Sequence, residues 1–151
     1  MRERDPVKLF LLVGATLAAL AVALFIVRAE APPEGPQPVV WGKQACGHCR
    51  MHVSEPAFAA QLHTGQGDVL HFDDPGCLFE LLRKDKPSVH ALWFHHVSED
   101  RWINGQAVGF IGVEPTPMGF GLGAVDASQP GAMTLDAAMS HAGGAPHGGE
   151  G

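Results

Sequence analysis

The chain has 151 residues, 46% hydrophobic and 17% charged. From Ala29 onward six Lys and Arg stand against fourteen Asp and Glu, a balance of −8 that repels phosphate backbones and argues against nucleic-acid binding. Three cysteines allow at most one intramolecular disulfide, which excludes a disulfide scaffold.

Residues 1–8 carry Arg2, Arg4 and Lys8 and precede the apolar run Leu9–Val27, LFLLVGATLAALAVALFIV. About 20 residues at 1.5 Å rise cross a bilayer core, so residues 9–28 are expected to form a transmembrane anchor. The basic residues lie mainly before the run, with only Arg28 close behind it. The positive-inside rule then places the N-terminus in the cytoplasm. The rest of the chain faces the periplasm or cell exterior, held at the cytoplasmic (inner) membrane by a single pass. A cleaved signal peptide is the alternative, with small residues at Ala29-Glu30-Ala31 as its site, although the run exceeds the usual h-region. Residues 29–39 include the proline-rich APPEGPQPV and read as an extended spacer that packs no core. Residues 40–142 are expected to form one small domain, and residues 143–151 (GGAPHGGEG) a glycine-rich, disordered tail.

Within the domain, the spacing predicts a hairpin of strands over 57–63 and 68–72 around the turn Thr64-Gly65-Gln66-Gly67. Asp74-Pro75 reads as the N-cap and first residue of a helix over 75–84, with Leu78, Leu81 and Leu82 on one face. A strand follows over 89–95, and Ser98-Glu99-Asp100 is a turn. Strands over 107–113 and 119–125 and a helix over 131–141 complete the chain. The expected fold class is α+β, with two small ββα(β) units of antiparallel sheet behind one N-terminal transmembrane helix. Met133 and Met139 read as helix packing, Cys77 as a small buried hydrophobe, and Trp93 and Trp102 as core or sheet-face residues.

The chemistry concentrates in Cys46-Gly47-His48-Cys49-Arg50-Met51. Two thiols and a thioether within six residues form a soft donor set. Such a set favours Cu(I), whereas zinc takes thiolate and imidazole but rarely thioether. Met118, in the rigid loop Pro115-Thr116-Pro117-Met118-Gly119, is a candidate thioether from the far side. His48 and His52 lie alongside, and any of His71, His95 and His96 offers a nitrogen. Several other readings stay open. Cys46 and Cys49 can close a small disulfide loop, or zinc can join them to two histidines. CGHC also matches the redox loop of protein disulfide isomerases, although Pro56 interrupts any long helix after it. A c-type haem requires histidine where Arg50 stands.

These motifs resemble the NosL family, copper-binding accessory proteins of nitrous-oxide reductase. Cys46-Gly-His-Cys49-Arg-Met51 is similar to the family's CxxCGM, Phe72-Asp73 follows the first hairpin, and Thr116-Pro117-Met118-Gly119 is similar to its PMG segment. The resemblance covers residues 46–126. It implies a non-enzymatic Cu(I) metallochaperone with Cys49, Met51 and Met118 as candidate ligands and Cys46 close by. The implied partners are a copper donor and a copper-receiving enzyme, nitrous-oxide reductase by analogy. Arg50 departs from the family's glycine, and the helical anchor departs from its common lipoprotein form. A membrane-tethered thiol-disulfide oxidoreductase using Cys46 and Cys49 is the enzyme alternative.

Overall fold

The computed structural model describes residues 6–29 and 31–144 and divides into two compact units, with the boundary between Ala31 and Pro32. The first unit is the helix α1, Pro6–Ala29. Its 24 residues span about 36 Å at 1.5 Å per residue. Phe10, Leu17 and Phe25 are exposed, and Pro6–Ile26 is long and apolar enough to cross a membrane. A signal sequence near the N-terminus can satisfy the same criteria of length and hydropathy.

The second unit opens on irregular chain and a 3-10 turn, Pro56–Phe58, then alternates strands and helices. Strands β1 (Ala60–Thr64), β2 (Val69–Phe72), β3 (Val89–His95) and β4 (Trp102–Asn104) form an antiparallel sheet in the order β2-β1-β3-β4. Strands β5 (Val108–Gly112) and β6 (Leu122–Asp126) form a separate antiparallel pair. Helix α2 (Pro75–Asp85) connects β2 to β3, and α3 (Leu135–Gly144) ends the described chain. The α+β class with two small sheets is therefore as expected.

Local chemistry explains the boundaries. Asp74 caps α2 by accepting the Gly76 N–H at 2.8 Å, Pro75 occupies the first turn, and Lys86 closes the helix in the left-handed region (φ 47°). Leu78, Phe79 and Leu81 are buried on its inner side. The helix expected from Gly131 begins instead at Leu135, because Thr134 accepts the Ala137 N–H at 3.2 Å and so starts it. Met133, read as a helical packing residue, pairs with Phe110 through two backbone hydrogen bonds of 2.7 and 2.9 Å. Strand β4 was not foreseen, being three residues long. It gains its ladder from β3, with Trp93 opposite Asn104 and His95 opposite Trp102. Gly143 and Gly144, placed in the tail by composition, belong to α3. Residues 145–151 lie outside the described residues.

Phe79 of α2, Phe94 of β3 and Phe110 of β5 meet with ring centroids 5.1–6.0 Å apart, so one aromatic cluster joins a helix to both sheets. The backbone adds a link, the Val97 N–H donating to the Ala124 carbonyl at 2.8 Å.

All five residues of β1 are buried, which requires cover on both faces of the sheet. Ala60 lies opposite Phe72 and Phe94 on the inner face, and Leu62 opposite Leu70 and Leu92. Gln61 and His63 lie on the other face and are fully buried beneath residues 33–37. Gln37 donates its N–H to Gln61 Oε1 at 2.8 Å, and Gln61 Nε2 donates to the Gln37 carbonyl at 2.7 Å. The Pro33 carbonyl lies 3.1 Å from His63 Nδ1. The proline-rich stretch expected to be a free spacer is thus a strap from Pro33 onward. Its extended backbone leaves polar groups unpaired, and a buried glutamine pairs them.

Candidate metal centre

Residues 40–53 form an irregular hairpin with CGHC at its tip. The Gly42 N–H donates to the Val53 carbonyl at 2.9 Å, Ala45 bridges His52, and the Cys46 N–H donates to the Met51 carbonyl at 2.7 Å. The tip is fixed to the sheet by the Gly47 N–H, which donates to the His71 carbonyl at 2.8 Å. A Cβ at Gly47 would stand 3.1 Å from the Phe72 ring, so the close approach favours glycine. Asp73 Oδ1 accepts the Ser54 N–H at 2.7 Å and holds the outgoing strand.

This hairpin delivers Cys46 and Cys49 to the first turn of α2, where Cys77 waits. The three sulfurs all lie within 4.8 Å of one another, and all three cysteines are free thiols. Cys46 and Cys77 are buried and Cys49 is half-buried. Sequence reasoning treated Cys77 as packing. The available signal was its place three residues after the N-cap Asp74, where a helix terminus favours negative charge.

The trio carries an uneven charge. The Cys77 thiol donates to Cys46, and backbone N–H groups of Asp73, His48 and Cys49 add to this, together holding Cys46 down at about 5 despite burial. The same hydrogen bond to Cys46 pushes Cys77 far up, and burial adds to it. Burial is the first cause that raises Cys49. The hydrogen bonding thus favours Cys46 as the thiolate and Cys77 as the thiol. Compact sulfur donors of this kind suit soft, thiophilic metal ions.

The loop over residues 115–119 reaches the same helix turn. The Met118 N–H donates to Asp74 Oδ2 at 3.2 Å, so one buried carboxylate caps α2 and anchors the loop. Gly76 lets the loop close in. A Cβ there would stand 1.9 Å from the Phe120 ring. The Met118 side chain is half-buried against the core, whereas Met51 is 58% exposed on the hairpin. Of the four residues singled out by sequence, Cys46 and Cys49 belong to the sulfur trio. The backbone of Met118 is tied to its helix turn, and Met51 lies at its outer edge in sequence.

Among the described residues no histidine joins the three sulfurs within that radius. His95 has both ring nitrogens in hydrogen-bond contact, with the His96 carbonyl at 3.1 Å and Asp100 at 3.2 Å. His96 Nδ1 accepts N–H groups of Ser98 and Glu99 at 3.2 Å. His71 is buried under the sheet's outer cover with Nδ1 unpaired. His48 and His52 are exposed on the hairpin. CGHC occupies a turn followed by extended chain, so neither of its cysteines opens a helix as a dithiol redox motif requires.

No family model matches the chain, and no curated protein sequence matches it. A solved structure does. The fold is similar to that in the crystal structure of the copper chaperone NosL from Shewanella denitrificans, with a TM-score of 0.54 and 21% identity, over 73% of this chain and 87% of that one. The fold implied by the NosL resemblance is the fold the chain adopts.

Proposed function

We infer that this protein is a membrane-anchored, extracytoplasmic carrier of Cu(I) that delivers the ion to a cuproenzyme. The observation that carries this reading is the convergence of sulfur-bearing segments on one helix turn, in a fold similar to that of a copper chaperone. Cys46 and Cys49 bind the ion. The thioethers of Met51 and Met118 serve its open side, where a partner's ligands displace them one at a time. Stepwise exchange suits a carrier, because a low coordination number leaves an approach for the recipient. Helix α1 is the anchor, with the domain in the periplasm. Nitrous-oxide reductase is the recipient suggested by the resemblance.

The test is a titration of the purified chain against a competing Cu(I) chelator. One Cu(I) per chain is expected, with a marked loss of affinity in Cys49→Ser. Full affinity in that variant would contradict the ligand assignment. The low-lying Cys46 thiolate also favours thiol exchange. An insulin-reduction assay separates that reading, and no turnover is expected.

A further inference from the structure

Cys77 has no role in the motifs that the sequence presents, yet it is 1% exposed and supplies the sulfur on the α2 side of the site. We propose that Cys77 is a third thiolate ligand of the bound Cu(I), closing the buried side of the site, while Met51 stays at the surface for hand-off. The inference rests on the Cu(I)-binding reading above and extends it to a residue outside the CxxCxM and PMG segments.

Geometry supports it first. With bonds of about 2.3 Å, as in a zinc–thiolate pair, three sulfurs in a trigonal plane would stand about 4 Å apart. The three sulfurs already lie within 4.8 Å of one another, so a small contraction closes the set. The placement is also built rather than incidental. Gly47 pins the hairpin tip to β2, and Asp73 fixes the outgoing strand, while Asp74 fixes the helix turn that bears Cys77. Cys77 is 1% exposed, and a thiol needed only as packing requires no alignment with two others.

The surroundings favour negative charge on one sulfur, Cys46, and the other two thiols give up their protons only on binding the ion. Cys77 is the third residue of α2, at the positive end of the helix dipole, where Asp74 already accepts the Gly76 N–H. Backbone N–H groups of His48 and Cys49 point at Cys46 from the hairpin, and that of Asp73 from the end of β2. Each thiol that binds the ion releases its proton to solvent, and the copper stays monovalent throughout. Burial decreases from Cys46 and Cys77 through Cys49 to the 58% exposed Met51. The deep thiolates hold, and the exposed thioether meets the recipient.

The experiment uses the full-length chain in detergent, loaded with Cu(I) alone, and reads both affinity and the sulfur count by X-ray absorption. In Cys77→Ala the sulfur count falls by one, and affinity falls by more than the roughly 10–100-fold that losing an outer hydrogen bond to a ligand produces. An unchanged affinity and count in Cys77→Ala overturns the proposal. The double variant Met51→Ala/Met118→Ala decides the matter even if Cys77→Ala does not fold. Three sulfurs remain around the ion if Cys77 binds it, and two remain if it does not. A wild-type chain that takes up no Cu(I) at all instead removes the carrier reading itself.

Discussion

At the scale of single residues, the site is governed by small backbone choices. Arg50 adopts φ 67°, the left-handed region, at the place where the resembling family carries glycine. A side chain there is strained by about 1–2 kcal/mol, which exceeds the roughly 0.5–1 kcal/mol that glycine loses through chain entropy. Arg50→Gly is therefore expected to stabilise the metal-free protein by about 0.5–1 kcal/mol, seen as a higher urea midpoint. A lower midpoint would mean that the guanidinium makes a compensating contact. Cys46 and Cys49 were legible as ligand candidates because CxxC is a local pattern. Cys77 was not, because its partnership crosses 28 residues of chain and depends on how the hairpin folds back. Met118 was picked out from its Pro-flanked loop, and the loop does reach α2. The carboxylate that brings it there, Asp74, had been credited only with capping.

At the scale of elements, the strap over residues 33–37 carries the clearest pH dependence. It covers His63, whose ring faces the Pro33 carbonyl, Gln61, His90 and the neighbouring His71. Burial holds both histidines below their ordinary value, so folding disfavours their charged forms. Their contribution to stability is present above about pH 6.5 and is lost as acid protonates them. Cys46 acts with the same sign, losing its contribution as pH falls towards about 5. A lower urea midpoint is expected at pH 6.0 than at pH 7.5, with a smaller difference in His63→Gln/His71→Gln. An undiminished difference in that variant would place the acid sensitivity elsewhere. The strap was missed because proline-rich composition marks an extended chain without revealing what it lies against. Helix α2 and strand β3 were read closely from Asp74-Pro75 and from the alternation in VHALWFH. Strand β4 and the start of α3 were set by neighbours, and periodicity over three residues carries no signal.

At the scale of the whole molecule, composition separates two environments. One helix is apolar and exposed on every side in isolation, and an acidic domain follows it. If α1 is an anchor, the chain stays with the membrane after alkaline carbonate washing. Protease added to intact spheroplasts then digests the domain. Release of a shortened chain into the soluble fraction would instead identify the helix as a cleaved signal.

The three phenylalanine rings also bear on how such a molecule works over many cycles. They bind α2 to both sheets, 5.1–6.0 Å apart, without help from any sulfur. If the chain is the courier proposed above, it must survive the return journey with nothing aboard. Because these rings help to hold the helix in place, unloading on the proposed reading would leave the berth standing, ready for the next passenger.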